Sequence, residues 1–354
     1  MKAADANILS ADTPLIEAMR QLNDVRYKIL FVTDERKHLQ GTLTDGDIRR
    51  ALLRSPPLTL PVREAMNTAP IVARVAEDRE RLAPVLREKL IRYLPRVDAD
   101  GILMGLYDIL DEHDDEVIVR PNMVLLMAGG LGTRLAPLTA TCPKPMLSVG
   151  GQPILETIIR NCAAQGLRRF CVSLNYMGDV ITDYFGTGER WGVEIEYLRE
   201  TERSGTAGAL SLLRERPSHP FVVMNGDVLT QIDFRSLLSF HTEHGASATM
   251  CVREYDMQVP YGTVEVEGVD TVSLQEKPVF RFFVNAGIYC LDPVVLDYVR
   301  PGWLDMPDLL NRLMTEKRRV TSFPIHEYWL DIGRLDDYER AQTDYKTLFA
   351  QGTV

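Results

Sequence analysis

Met123-Val124-Leu125-Leu126-Met127-Ala128-Gly129-Gly130-Leu131-Gly132-Thr133-Arg134-Leu135 is the stretch from which the fold is read. Met123 to Met127 is a continuous apolar run, the pattern of a parallel strand covered on both faces. A glycine-rich loop follows at once: Ala128, Gly129, Gly130, Gly132 and Thr133, with the basic Arg134 inside it. Glycine lets a backbone come close to a ligand. A strand running into such a loop reads as a phosphate cradle in an α/β domain. The loop has neither the G-K-[ST] ending of common NTPase loops nor the G-x-G-x-x-G spacing of dinucleotide folds.

Outward from this loop, the composition sets limits. The chain has 354 residues, 45% of them hydrophobic and 25% charged, which excludes a disordered, collagen-like or purely coiled-coil protein and suggests two domains. A net charge of −10 argues against nucleic-acid partners, which need basic patches. It leaves room for a local basic site that takes an anionic small molecule. No run approaches the ~20 apolar residues of a membrane span, and residues 1–7 carry no secretory apolar core. A cytoplasmic protein without a membrane partner is expected. Cys142, Cys162, Cys171, Cys251 and Cys290 are odd in number and form no C-x-x-C pair, so they read as reduced core thiols.

The acidic run Asp111 to Glu116, followed by Pro121, sets a domain boundary near residue 120. One domain is expected over 1–118 and a second over 119–354. The first contains a repeat. Ile29-Leu30-Phe31-Val32 leads to Gly41-Thr42-Leu43, and Tyr93-Leu94-Pro95-Arg96-Val97 leads to Gly105-Leu106, about 64 residues on. The copies span about 1–56 and 57–115. Each reads as strand, turn, strand and helix start. An amphipathic segment precedes each: Leu15, Ala18, Met19 and Leu22, then Leu82, Val85 and Leu86. Units this small are expected to share a core.

The first copy ends Gly41-Thr42-Leu43-Thr44-Asp45-Gly46-Asp47, and this block resembles a CBS (Bateman) domain pair, a small α+β fold. The resemblance implies that Thr44 faces a phosphate and Asp47 accepts from ribose hydroxyls of an adenine nucleotide. A helix N-terminus suits a phosphate, while Asp47 also reads as a plain helix cap in a module that only dimerises. The second copy stops at Gly105-Leu106-Tyr107-Asp108 and lacks the Thr, so one nucleotide site is expected rather than two.

Beyond the glycine loop stands Pro143-Lys144-Pro145-Met146. The stretch from Gly129 to Met146 closely resembles the signature of sugar-1-phosphate nucleotidyltransferases, and the resemblance extends over about residues 122–345. It implies a Rossmann-like domain with a mixed, mostly parallel sheet. It implies transfer of a nucleotidyl group from an NTP to a sugar 1-phosphate, with release of pyrophosphate. Ala128, Gly129, Gly130, Gly132 and Thr133 would then wrap the nucleotide phosphates. Arg134 would hold the departing pyrophosphate. Lys144, on a flexible loop between two prolines, would neutralise the α-phosphate.

Phe221-Val222-Val223-Met224-Asn225-Gly226-Asp227 is an apolar strand ending in a carboxylate, at the edge where α/β sheets place ligands. Trp329-Leu330-Asp331-Ile332-Gly333 matches the family's late W-L-D-x-G element. The resemblance makes Asp227 and Asp331 ligands of Mg2+, a hard ion satisfied by one or two carboxylates plus phosphates. It makes Glu276, Lys277, Gly262 and Asn285 contacts to the sugar phosphate. It sets Glu200 and the Ser204-Gly205-Thr206-Ala207-Gly208 loop at the nucleobase. That loop, with Pro145 where thymidylyltransferases more often carry Gln, favours GTP, because a Glu200 carboxylate suits guanine N1–H and N2–H2. The whole chain resembles CBS-fused sugar nucleotidyltransferases of bacterial surface-sugar pathways, some of which make GDP-glucosamine; a homo-oligomer is expected.

Three readings stay open: a guanylyltransferase whose CBS pair senses an adenine nucleotide, a UTP- or CTP-using transferase with purely structural CBS domains, and a catalytically silent sensor of sugar nucleotides. His241 and His244 are expected on a helix surface, without a metal. Leu309, Leu310, Leu313 and Met314 are expected to be core.

Overall fold

The computed structural model describes residues 7–25, 28–54, 59–74, 93–108 and 119–348. The chain divides into two compact units, Met1–Val117 and Ile118–Val354.

In the first unit, β1 (Ile8–Ser10), α1 (Leu15–Asp24), β2 (Ile29–Thr33), β3 (Leu39–Thr44) and α2 (Asp45–Leu52) are followed by β4 (Ala73–Arg74), β5 (Tyr93–Val97) and β6 (Leu103–Asp108). β1 lies parallel to β2, and β3 antiparallel to it. The same ladder recurs with β4 parallel to β5 and β6 antiparallel to it. Even the irregularity repeats, at Val32/Thr33 in the first sheet and at Arg96/Val97 in the second. The sheets are stitched together where Leu39 N donates to Gly101 O and Leu103 N donates to Lys37 O. Ile29, Phe31 and Leu103 form a shared apolar cluster. Along α1, Leu15, Ala18 and Leu22 are buried and Met19 packs beside them. Leu82, Val85, Leu86 and the acidic run 111–116 lie outside the described residues.

The second unit begins with β7 (Arg120–Met127), three residues earlier than its apolar run. β8 (Ser148–Val149) and β9 (Gln152–Pro153) form a short hairpin, followed by β10 (Leu167–Leu174), β11 (Glu194–Arg199), β12 (Phe221–Asn225) and β13 (Val228–Thr230). Then come β14 (Ala248–Gln258), β15 (Thr263–Glu267), β16 (Asp270–Gln275), β17 (Val279–Leu291), β18 (Val320–Ile325) and β19 (Trp329–Asp331). A seven-stranded sheet has the order β11-β10-β7-β12-β17-β14-β18, and β17 alone runs against the others.

The run at 123–127 is apolar throughout because both faces of β7 are covered. Val124 and Leu126 face a core containing Ile154, Leu155 and Ile158 of the helix Ile154–Ala164. Met123 and Leu125 face a second core with Leu309, Leu310 and Leu313 of the helix Met306–Thr315. Each such side chain, fully buried, contributes roughly 1.5–3 kcal/mol. Met314 departs from the expected stripe: it turns to solvent, 51% exposed. All five cysteines are free, and four are buried; burial pushes the Cys171 thiol up to about 12. Among the described residues no helix is long and apolar enough to cross a membrane.

His241 corrects the surface expectation. It lies on the inner side of the helix Phe234–Glu243, 1% exposed, with Nδ1 2.9 Å from Thr249 Oγ1 on β14. His244, at the helix end, stacks on Phe240 at 4.1 Å. Burial lowers the His241 pKa to about 4. The unfolded chain, with an ordinary histidine near 6.5, then binds the proton more tightly. Stability from a neutral His241 is complete above pH 6.5 and falls as pH drops towards 4, by about 3 kcal/mol. Urea unfolding from pH 7 to pH 5 is expected to show a shallower loss for His241→Gln than for the parent. Identical slopes would show that His241 takes no part.

Candidate active site

The strand order reverses beside β7, with β10 and β11 on one side and β12 on the other. In open α/β sheets the ligand crevice lies outside the carboxyl ends of the strands at this point. The glycine loop leaves β7 there, and Ala128 N donates to Ser173 O at the end of β10. Gly132 has φ 64°, and a Cβ on it would come within 2.9 Å of Thr139 Cγ2 and 3.1 Å of Lys144 Cβ. Thr139 Oγ1 donates back to Gly132 O. Only glycine lets the loop fold this tightly onto the segment that carries the lysine. Gly130 faces open space. Leu135 anchors the short turn Thr133–Leu135 in the core and leaves Thr133 and Arg134 exposed.

Lys144 does not sit on a flexible loop. It opens a 3-10 turn, Lys144–Met146, closed by Met146 N donating to Pro143 O, and it is buried. Its Nζ donates to Asp227 Oδ2 and lies 4.0 Å from Asp331 Oδ1. Asp227 follows β12. Gly226 N donates to Met127 O, and a Cβ at Gly226 would meet that oxygen at 2.9 Å. Asp331 arrives through the β13–β19 ladder, which pairs it with Val228, and Ile332 N donates to Asp227 O. Burial and the neighbouring Asp227 push the Asp331 carboxyl above its ordinary range, while Lys144 and Arg134 pull it down. Asp227 Oδ1 is buried with no hydrogen-bond partner. Arg134 borders this group, its guanidinium 3.6 Å from where a Cβ on Gly333 would sit. The structure therefore brings Arg134, Lys144, Asp227 and Asp331 together.

Glu200, one residue beyond β11, meets the same edge. A Cβ on Gly129 would lie 3.0 Å from its Oε1. The carboxylate accepts from Ser173 Oγ, Ser204 Oγ and Ser204 N, and Asn175 Nδ2 donates to the Glu200 carbonyl. Ser204 belongs to the loop expected at the base, whereas Ser173 and Asn175 are not singled out by the sequence; they close β10 at the sheet edge, where a polar ending is the signal. Gly205, Thr206 and Ala207 form a short helical turn against residues 304–306. Thr206 N donates to Asp305 Oδ1, Met306 N donates to Thr206 Oγ1, and Ala207 N donates to Leu304 O. A Cβ on Gly205 would meet Leu304 O at 2.5 Å, so backbone packing already requires that glycine.

The expected sugar-phosphate residues fall in two places. Gly262 and Glu276 meet, with a Cβ on Gly262 3.1 Å from Glu276 Oε2, and Lys277 is exposed in the left-handed region, φ 45°. Asn285 donates to Tyr289 OH and accepts from Gly287 N, and Gly287 packs on Asn225, two residues before Asp227. In the first unit, Thr44 and Asp47 engage each other. Thr44 N and Oγ1 donate to Asp47 Oδ2, and Arg50 binds Asp47 Oδ1. That is a capping box opening α2.

Comparison with known proteins follows the same division. Residues 123–347 match the nucleotidyl transferase family model, and residues 4–54 match the CBS domain model. Mannose-1-phosphate guanyltransferases of Candida albicans and Saccharomyces cerevisiae are 35% identical over 225 residues and 33% over 226, covering 60% of this chain and 62% of theirs. The chain thus spans about three fifths of the length of the curated relatives it matches. The crystal structure of HddC from Yersinia pseudotuberculosis is 26% identical, with a TM-score of 0.50 over 63% of this chain and 99% of that one. From the apolar strand at Met123 to the last described helix, the matched family model covers more than half of the sequence, and the chain belongs to the nucleotidyl transferase family.

Proposed function

We propose that the chain transfers GMP from GTP to a sugar 1-phosphate and releases pyrophosphate. The observation that carries this reading is the Lys144 ammonium set between the carboxylates of Asp227 and Asp331 beneath a glycine loop. A phosphate oxygen of the sugar 1-phosphate attacks the α-phosphorus, and the bond to the β-phosphate oxygen breaks in line. The nucleophile has a second pKa near 6, so it is largely dianionic at pH 7 and needs no general base. What it needs is alignment of two anions that repel each other. The open backbone at Gly130 and the N–H groups of the loop receive the nucleotide phosphates. Arg134 draws charge towards the leaving pyrophosphate, and Lys144 stands beside the α-phosphate.

Asp227 and Asp331 fit a Mg2+ ion. They offer only oxygen donors, Asp227 Oδ1 is buried and unpartnered, and Asp331 is held above its ordinary range by burial and then by the adjacent carboxylate. A cation relieves both. When bound, the ion would neutralise phosphate charge in the transition state.

Guanine is supported by the mannose-1-phosphate guanyltransferase relatives and by Glu200, a carboxylate that takes two donors on one edge of the base once the Ser204 donors give way. One observation favours the second reading, a uridylyl- or cytidylyltransferase: Ser173 and Ser204 already occupy that carboxylate. Glu276 and Asn285 suit many hexoses.

Pyrophosphate release, with each of GTP, UTP, CTP, dTTP and ATP crossed with glucose, mannose, glucosamine and N-acetylglucosamine 1-phosphates, tests the reading. Turnover is expected with GTP; turnover with UTP or CTP alone selects the second reading. Asp227→Asn is expected to lower turnover at least ~100-fold with the unfolding transition retained. Full activity in that folded variant would refute the assignment. Glu200→Gln is expected to cut the preference for GTP over UTP by roughly tenfold or more. An unchanged preference would remove Glu200 from the base site.

A further inference from the structure

β14 and β17 outrun the sheet that holds them. β18 pairs with β14 only as far as Arg253, and β12 pairs with β17 only from Ile288 onward. Residues 254–258 and 279–283 continue as a two-stranded ribbon. Its faces differ. Tyr255 stands opposite Phe282 and Met257 opposite Phe280, which puts four large apolar side chains on one face. The Phe280 and Phe282 rings stack at 6.5 Å. On the other face Arg281 binds Glu254 and Asp256, with Val279 and Phe283 beside them. The apolar four are nonetheless exposed, by 55%, 50%, 48% and 42% for Tyr255, Phe282, Met257 and Phe280.

The β15–β16 hairpin repeats the design. Val264 opposes Leu274, with Val266 on the same side, while Glu265 opposes Ser273 and accepts its hydroxyl. Val264, Val266 and Leu274 are all more than half exposed. A strand sorts its side chains by alternation, so a uniformly apolar face is stable in water only when covered. A lone two-stranded ribbon is marginal there. With aromatic side chains burying 150–250 Å2 each, the two dry faces offer roughly 700 Å2, above the usual monomer patch and near the ~800 Å2 per partner of a standard interface.

We propose that these ribbons are the contact between two copies of the chain, dry face on dry face about a two-fold axis. The dry faces carry no charge, so their cover must be apolar. Elsewhere among the described residues the exposed large apolar side chains, such as Leu53, Met104, Tyr184 and Trp303, are scattered through the sequence. The matching surface this chain offers is the same ribbon, which an isologous interface supplies. The segments joining the two ribbons carry Gly262, Glu276 and Lys277, so the contact also steadies those residues.

Sedimentation equilibrium on the full chain tests this, with Tyr255→Lys/Phe282→Glu on the dry face and Arg281→Gln on the opposite face. The parent is expected at twice the chain mass or a higher even multiple, the double variant at half the parent mass, and Arg281→Gln at the parent mass. Hydrogen exchange of the unaltered protein guards against a misfolded variant: amides 254–258 and 279–283 are expected to lose protection on dilution, together with the dimer. A parent that is monomeric at 50 µM overturns the proposal, as does a folded double variant that keeps the parent mass. Ribbon amides that stay protected in the monomer, because the chain itself or another molecule covers them, overturn it too.

Discussion

Two carboxylates held within reach of one ammonium form the constraint around which the second unit is built. Asp227 and Asp331 are 104 positions apart, and both are partly shielded from water at the sheet edge. Like charges this close repel unless a cation stands between them, and Lys144 supplies it. Three backbone features make the meeting possible. Gly226 permits contact with Met127 O, the β13–β19 ladder registers Asp331 against Val228, and Gly132 lets the loop close on Lys144. The group thus holds a charge balance that a dication or a phosphate can shift.

The sheet makes that precision affordable. Both faces of β7 are dry, with helices Ile154–Ala164 and Met306–Thr315 on opposite sides, so the strand ends are fixed in position. The loops leaving those ends gain their geometry from packing rather than from ligand. Thr206 pinned by Asp305, and Glu200 pinned by Ser173 and Ser204, are organised in advance. Preorganised polar groups are what charge-stabilising catalysis requires.

Much of this was legible in the residues. The apolar run at 123–127 announced a strand covered on both faces, and the Gly-rich loop after it announced the ligand edge. Asp227 was visible because an apolar strand ends on it. Asp331 owed its recognition to a resemblance, since no local pattern pairs it with Asp227; a three-residue ladder formed only in the folded chain does so. His241 reads as a surface residue in the sequence because burial of a polar ring depends on a partner, Thr249, that lies on another element. Lys144 reads as a flexible-loop residue because flanking prolines signal irregular backbone without saying whether it packs. Met314 turned outward because the helix's dry stripe ends at Leu313. The alternation Tyr255-Asp256-Met257 was readable as a half-dry strand; its lack of cover appears only in three dimensions.

On the proposed reading, Asp227 and Asp331 jointly hold the cation that meets the nucleotide phosphates. Crystals grown with Mn2+ and a non-hydrolysable GTP analogue, mapped by anomalous diffraction at the manganese edge, test it most directly. One strong peak is expected, in contact with both carboxylates and a phosphate oxygen. Nucleotide density with the manganese peak on other residues would contradict it.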